Sequence, residues 1–169
     1  DTILSGEVTN AQSAAFLMAL RVRGETIDEI AGAVGAMRGK MLPVKAPPEA
    51  IDIVGTGGDG ANTINITTAA SLVAAAGGVK MIKCGNRSVS SKSGSADVLE
   101  ALNIPLDLDP DRAVRQFESA NFTFLFAPAY NPAIAHVQPV RKALGVPTLD
   151  GLGIDGDGAH TLQEYALIS

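Results

Sequence analysis

Residues 51–97 decide the fold of this chain, because they hold two apolar runs that each lead into a polar loop. Residues 51–60 read Ile-Asp-Ile-Val-Gly-Thr-Gly-Gly-Asp-Gly, and residues 61–70 continue Ala-Asn-Thr-Ile-Asn-Ile-Thr-Thr-Ala-Ala. This order is typical of a strand, a glycine loop and the N-terminus of a helix. Glycines let the backbone approach an anion, and the N–H groups and dipole of the first helical turn favour negative charge. The stretch therefore predicts a phosphate-binding loop.

The second loop follows the apolar run 79–82 and adds positive charge. Residues 83–97 read Lys-Cys-Gly-Asn-Arg-Ser-Val-Ser-Ser-Lys-Ser-Gly-Ser-Ala-Asp, with cations at Lys83, Arg87 and Lys92. Taken singly, the glycines of both loops suit tight turns and the serines suit helix caps. Taken together with Lys83 and Asn86, they favour a phosphate site.

Length and composition exclude several classes of protein. The chain has 169 residues, of which 46% are hydrophobic and 18% charged, so it can bury one substantial core. A formal charge of −5 disfavours nucleic-acid binding, which depends on cations that contact phosphates. The sequence contains no long apolar run and no signal peptide, and it has a single cysteine. We therefore expect no nucleic-acid partner, no membrane association and a cytoplasmic location.

Two helices are predicted in the first 40 residues, because each begins with a capping signal. Thr9 and Gln12 have the spacing of a capping box, and Thr26 and Glu29 repeat it. Gly24 is expected to end the first helix. The apolar side chains of these helices exceed what a small appendage can bury, which predicts a dimer interface.

From residue 51 onward, apolar runs alternate with helical segments. Strands are predicted at 51–54, 79–82 and 122–126, and helices at 67–76, 95–102 and 110–120. Strands that are apolar throughout favour burial on both faces, hence an α/β fold in which helices cover a mostly parallel sheet. We expect a helical part at 1–44, a proline-containing linker at 45–50 and an α/β domain at 51–169.

Three blocks occur in one order in this chain: Gly-Thr-Gly-Gly-Asp at 55–59, Asn-Ile-Thr-Thr at 65–68, and Lys-x-Gly-Asn-Arg-x-x-Ser-Ser-x-x-Gly-Ser at 83–95. In these blocks, and from residue 1 to about residue 148, the chain resembles the bacterial anthranilate phosphoribosyltransferases of tryptophan biosynthesis. The resemblance implies a nucleoside phosphorylase/phosphoribosyltransferase class 3-like fold, here incomplete. It also implies a homodimer that uses Mg²⁺ to transfer phosphoribose from phosphoribosyl pyrophosphate to anthranilate, giving N-(5-phosphoribosyl)anthranilate and pyrophosphate.

The resemblance also assigns site residues. The set expected around phosphoribosyl pyrophosphate is Gly55, Gly58, Asp59, Thr63, Asn65, Ile66, Thr67, Thr68, Lys83, Cys84, Gly85, Asn86, Arg87, Ser88, Val89, Ser90, Ser91 and Ser95. Anthranilate is expected beside Gly55, Asn86 and Arg141, and the arginine matches the one that holds the substrate carboxylate in the family. Thr67 matches the hydroxyl residue that binds magnesium. No residue is assigned as a catalytic acid, base or nucleophile.

The chain departs from the family pattern at four places. Cys84 and Asn131 stand where the family usually has histidines on the acceptor side, and residues 150–158 do not match the expected block. The adjacent Asp-Glu pair that binds metal late in the family sequence has no counterpart here. Family members are also longer, so the chain is expected to be a fragment, a shortened variant or a set of joined segments. Two alternatives to the transferase therefore stay open: a catalytically silent phosphate-binding or assembly module, and a related nucleoside phosphorylase.

Overall fold

The structure of the protein, a computed structural model, describes residues 1–53, 64–87 and 93–145. The elements in these ranges are α1 (Asn10–Arg23), α2 (Ile27–Arg38), α3 (Ile66–Ala76), β1 (Met81–Gly85), α4 (Ser95–Ala101), α5 (Pro110–Ala120), β2 (Phe122–Phe126), α6 (Ala127–Tyr130) and α7 (Ile134–Leu144). None of the described helices is long and apolar enough to cross a membrane.

Both N-terminal helices begin as the sequence predicts. The Thr9 hydroxyl accepts a hydrogen bond from the N–H of Gln12, whose side chain accepts one from the N–H of Thr9. Thr26 and Glu29 form the same reciprocal pair at the start of α2. Gly24 ends α1 at φ +86°, a conformation that favours glycine. The two predicted capping boxes are confirmed.

The sheet is parallel, as predicted. β1 pairs with β2 in a register that runs from Met81 opposite Phe122 to Gly85 opposite Phe126. On the other side of β1, Ile51 forms a parallel bridge to Met81. Within the described residues, the predicted strand 51–54 is represented by this isolated bridge at Ile51. Residue 54 lies outside the described residues.

The predicted bounds of β2 are confirmed, whereas those of β1 are wrong. β1 begins at Met81 rather than at residue 79 and continues to Gly85. The reason is that Val79 helps to close the C-terminal end of α3, since its N–H donates to the Ala74 carbonyl at 3.0 Å. Apolarity alone could not separate a residue that closes a helix from one that opens a strand.

Helices cover both faces of the sheet. Because side chains alternate along a strand, Ile82 and Cys84 point to one face, where they pack with Phe117 of α5. Met81 points to the opposite face, where it packs with Leu99 of α4 and with Ala75 of α3. Residues 41, 44, 46 and 50 also pack against the first face, so part of the predicted linker covers the core.

The helical part of the molecule includes a helix from the far end of the described chain. Leu17 of α1 packs with Val137 and Val140 of α7 in a separate buried cluster. No clear pattern in the sequence predicts α7, which contains Pro139. Proline removes one backbone hydrogen bond from a helix, so burial of the valines must offset that loss.

Candidate functional site

The first residues of the two predicted phosphate loops are joined at the carboxyl end of β1. Nζ of Lys83 donates a hydrogen bond of 2.7 Å to the carbonyl of Ile53, the last described residue before the glycine loop. The same nitrogen lies 3.8 Å from Oδ1 of Asp52, and the N–H of Cys84 donates to Oδ2 of Asp52 at 3.1 Å. These contacts fix the segment 52–53 against the segment 83–84.

The charges of this cluster are removed from water. The side chains of Lys83 and Asp52 are 2% and 10% exposed. Burial raises the pKa of the Asp52 carboxyl above its ordinary value, and the opposing effects of Lys83 and the Cys84 N–H do not cancel it. A buried pair whose desolvation outweighs its attraction is weak evidence for a gain in stability.

A second set of contacts joins the far ends of the two loops. Asn65 caps α3, because its Oδ1 accepts the N–H of Thr68 at 3.0 Å. Its Nδ2 donates to the carbonyl of Ser93 at 3.1 Å, near the end of the second loop. The amide of Asn65 therefore holds the exit of one loop to the exit of the other.

Thr67 and Thr68 take different positions in the first turn of α3. Thr68 is fully buried, and its Oγ1 has no hydrogen-bond partner among the described residues. Thr67 is half-buried, and its hydroxyl donates to Oδ1 of Asn65 at 3.3 Å, which leaves oxygen lone pairs for a cation. Exposed Ile66 precedes them.

The described residues fit a magnesium site only in part. The Thr67 oxygen is a suitable hard ligand for Mg²⁺. Within residues 1–53, 64–87 and 93–145, no group of three or more His, Cys, Asp or Glu side chains could hold a metal. The remaining ligands would have to be substrate phosphate oxygens, water or residues outside these ranges.

The start of the second loop is closely packed. A Cβ at Gly85 would lie 3.0 Å from Cε2 of Phe124 and 3.0 Å from Cβ of Ser95, so only glycine fits without a shift. The Asn86 carbonyl accepts the N–H of Ala96 at 3.2 Å, while the side chain of Asn86 is exposed. β1 is thereby held against the first turn of α4.

Arg87 faces carboxylates in this structure. Its guanidinium binds Glu100 with two hydrogen bonds of 2.7 and 3.0 Å and Asp97 with one of 3.3 Å. It also lies 6.0 Å from the ring centroid of Phe126, within the range of a cation–π contact. The prediction that Arg87 lies beside phosphate stays a prediction, and its guanidinium would have to leave the carboxylates to do so.

The carboxyl end of β2 leads into the predicted acceptor side. Tyr130 is fully buried, and its hydroxyl donates to the Leu108 carbonyl at 2.8 Å. Burial, with a smaller effect from Asp109, raises the pKa of Tyr130 to about 12. Asn131 is 1% exposed, and neither polar atom of its side chain has a hydrogen-bond partner in the described part of the chain. Arg141 lies in the last turn of α7.

Several predicted residues lie outside the described ranges, and the sequence reasoning missed one residue inside them. Those outside are Gly55, Gly58, Asp59, Thr63, Ser88, Val89, Ser90 and Ser91. The missed residue is Asp52, which contacts both Lys83 and Cys84. A single carboxylate between two isoleucines is the signal that could have found it, because a buried charge needs a partner.

Comparison with known proteins matches both parts of the chain. The glycosyl transferase family, helical bundle domain, matches residues 1–41, and the glycosyl transferase family, a/b domain, matches residues 47–153. The anthranilate phosphoribosyltransferase of Corynebacterium diphtheriae is 71% identical over 146 residues, which are 85% of this chain and 42% of that protein. The chain therefore spans less than half the length of this curated relative.

Solved structures agree with the sequence relatives. Anthranilate phosphoribosyltransferase from Thermus thermophilus superposes with a TM-score of 0.80 at 43% identity, over 99% of this chain and 48% of that one. The Saccharomyces cerevisiae enzyme in complex with phosphoribosyl pyrophosphate and Mg gives 0.70 at 35% identity, over 82% of this chain and 40% of that one. The resemblance drawn from the three sequence blocks is confirmed. Matched across its helices and its parallel sheet, this chain belongs to the glycosyl transferase family.

Proposed function

We propose that this chain supplies the phosphoribosyl pyrophosphate site of an anthranilate phosphoribosyltransferase in tryptophan biosynthesis. In that reaction the amine of anthranilate replaces pyrophosphate at C1 of the ribose, and N-(5-phosphoribosyl)anthranilate and pyrophosphate are the products. The relatives that support this assignment carry the transferase name. No observation on the described residues favours a nucleoside phosphorylase.

The observation that carries the proposal is the joining of the two loops. Lys83 and Asp52 bring the entrances of both loops together, and Asn65 with Ser93 brings their exits together. Two phosphate-binding loops whose ends are joined in this way could both contact one pyrophosphate group. Either loop alone would be a weak signal.

The chemistry asked of these residues is to position the substrate and to stabilise charge. As the bond between C1 and pyrophosphate breaks, negative charge grows on the leaving oxygen, and cations or N–H groups fixed near that oxygen lower the barrier. The Lys83 ammonium is fixed by its contacts and shielded from water, which strengthens its interaction with an anion. Arg141 would hold the carboxylate of anthranilate.

Magnesium is proposed as the cofactor that neutralises the leaving pyrophosphate. Thr67 would be the ligand from the described part of the chain, and Mg²⁺ would keep water and phosphate oxygens in its other positions. A metal-dependent increase in affinity for pyrophosphate tests this proposal, and equal affinity with and without Mg²⁺ would contradict it.

Substrate binding is tested by calorimetric titration of this chain with phosphoribosyl pyrophosphate and Mg²⁺. We expect saturable binding that Lys83→Met weakens about tenfold or more, because a charged hydrogen bond to phosphate contributes about 1.5–3 kcal/mol. Lys80→Ala is the matched control, since Lys80 pairs with Glu49 on the surface. Circular dichroism at the titration temperature checks that each variant is folded. Equal affinity of wild type and Lys83→Met would remove the basis of the proposal.

The homodimer is a proposal that concerns the N-terminal helices. Phe16, Val22 and Ile27 are 51%, 81% and 85% exposed, although residues of this size usually lie buried. Exposed apolar side chains on neighbouring helices suit a contact with a second copy. Sedimentation should therefore show a dimer at micromolar concentration, and a monomer at all concentrations would contradict it.

We also propose a domain division and a cellular location. We assign residues 1–44 to the helical part, 45–50 to the connection and 51–169 to the α/β part. The separate family matches to 1–41 and 47–153 support the division. A cytoplasmic location accords with a biosynthetic role in amino-acid metabolism.

A further inference from the structure

Asp52 is the one buried carboxylate that contacts both loop entrances in the described part of the chain. Its two oxygens are used differently. Oδ2 accepts the N–H of Cys84 at 3.1 Å, whereas Oδ1 accepts no hydrogen bond from the described residues and lies 3.8 Å from Nζ of Lys83. One side chain thus binds the backbone of β1 and faces the charge that β1 carries.

We infer that Asp52 is a positioning residue for the phosphate site, which sets the place of the Lys83 ammonium relative to the two loops. The inference rests on the proposed function, because it assumes that the loops bind phosphoribosyl pyrophosphate. It adds a role for a residue that neither the motif blocks nor the resemblance singled out.

A contribution to stability does not explain the pairing of Asp52 with Lys83. Removing a carboxylate and an ammonium from water costs several kcal/mol for each ion, and attraction recovers that cost only with close, fully hydrogen-bonded geometry. Here the two charged atoms are 3.8 Å apart, and within the described ranges Oδ1 is left without a hydrogen bond. The direction of the Asp52 pKa shift agrees that burial outweighs attraction. The pair is therefore a costly way to stabilise a strand end.

The geometry does suit a role in orientation. An ammonium has three N–H groups, and among the described residues Lys83 places one of them on the Ile53 carbonyl. A carboxylate at 3.8 Å draws the charge toward segment 52–53, which leads directly into the glycine loop. Without this carboxylate the four-carbon stem of lysine could place the ammonium elsewhere, and an anion would no longer meet a fixed charge.

A double-mutant cycle tests whether Asp52 acts through Lys83. The four proteins are wild type, Asp52→Asn, Lys83→Met and the double variant, and the measured quantity is the dissociation constant for phosphoribosyl pyrophosphate with Mg²⁺. Asn keeps an oxygen that can accept the Cys84 N–H while it removes the charge. Met keeps most of the apolar stem of lysine.

We expect Asp52→Asn to weaken binding about tenfold when Lys83 is present and less than about twofold in the Lys83→Met background. Equal losses in both backgrounds would show that Asp52 acts independently of Lys83, which overturns the inference and leaves the proposed function intact. Absence of binding by wild type would overturn both.

The melting temperature separates a positioning role of Asp52 from a purely structural one. The double variant removes both buried charges, so its melting temperature should equal or exceed that of wild type although its affinity is about tenfold or more lower. A double variant that loses stability and affinity together, in proportion, would instead indicate a structural pair and overturn the inference.

Asp52→Glu keeps the test decisive if one of the single variants does not fold. Glutamate preserves the charge but moves it by one methylene, and a misplacement of about 1 Å near a reacting group can cost a large factor in function. We expect a loss of affinity of about tenfold with a folded protein. Unchanged affinity of Asp52→Glu would overturn the inference.

Discussion

The carboxyl ends of β1 and β2 lie side by side in one parallel sheet, but they carry different chemistry. At the end of β1, a buried ammonium faces a buried carboxylate and a backbone carbonyl. The residues that follow β2 contribute neutral groups: Tyr130, with its hydroxyl on the Leu108 carbonyl, and Asn131, whose side chain has no hydrogen-bond partner among the described residues. In the described ranges, buried charge is thus concentrated beside β1, and the buried polar groups beside β2 are neutral.

This difference matches the two halves of the proposed reaction. Pyrophosphate carries several negative charges and needs fixed cations, whereas the ring of anthranilate needs apolar surroundings. Parallel strands place their carboxyl ends at one edge, so two unlike surfaces can adjoin without any change of fold. Substitutions beside β1 and β2 are therefore expected to differ in the size and the sign of their effects on stability.

The largest effect is expected for Lys83→Met, which leaves the Asp52 carboxylate buried without its counter-charge. Removing one partner of a buried pair costs about 3–5 kcal/mol of unfolding free energy. Urea denaturation monitored by circular dichroism measures this loss. Lys80→Ala, which breaks an exposed pair with Glu49, should have little effect. Similar urea midpoints for the two variants would show that the buried pair at β1 contributes no more to stability than the exposed pair.

A smaller loss is expected for Tyr130→Phe beside β2. The change leaves the Leu108 carbonyl without its donor, at a cost of about 1–3 kcal/mol. The effect also depends on pH. The pKa of Tyr130 is about 12 in the folded protein, so the unfolded chain loses this proton first, and wild-type stability falls as pH rises above about 10.

Melting curves between pH 8 and about 11.5 separate this titration from general alkaline unfolding. Wild type should lose stability more steeply than Tyr130→Phe across that interval, because the variant lacks the titrating hydroxyl. If the melting temperatures of the two proteins fell in parallel with pH, the Tyr130 hydroxyl would not be the group that titrates.

Asn131→Leu should change stability in the opposite direction. Leucine has the same branching and the same number of heavy side-chain atoms as asparagine and carries no polar atoms, so the change removes a buried amide that has no partner among the described residues. We expect a gain of about 1 kcal/mol in the free energy of unfolding. A loss of stability would show that this amide is hydrogen-bonded to water or to residues outside the described ranges.

The smallest effect is expected for Arg87→Lys, at the point where the two strand ends meet. Arg87 follows β1, binds Glu100 and Asp97, and lies over Phe126 of β2. Lysine keeps the charge but loses the bidentate geometry, so the melting temperature should fall slightly, and less at high salt.

The Arg87 contacts also predict a response to acid. Arg87 lowers the pKa of Glu100, so this contribution to stability is present above the ordinary carboxyl pKa and is lost as pH falls through the lowered value. Glu100→Gln should be insensitive to that titration. If Glu100→Gln lost stability in acid as wild type does, the group that titrates would not be Glu100.

The sequence determined the local structure wherever the signal lies within a few neighbouring residues. The capping boxes at Thr9 and Thr26 and the apolar strand 122–126 follow from local hydrogen bonding and hydrophobicity. The family resemblance was equally accessible, because its motif blocks lie in contiguous segments. The assigned site residues stay predictions, and eight of the eighteen that are expected around phosphoribosyl pyrophosphate lie outside the described ranges.

Only the tertiary structure decided which residues meet across the chain. The contact of Asp52 with Lys83 joins two segments that are far apart in sequence, and the packing of Leu17 on Val140 joins two ends of the described chain. No local pattern encodes such contacts, because they depend on strand order and helix packing. The same limit applies to Arg87: its phosphate contact stays a prediction, and only the fold shows that Glu100 lies within 2.7 Å of its guanidinium. A sequence specifies what a side chain can bind, whereas the fold specifies what lies close enough to be bound.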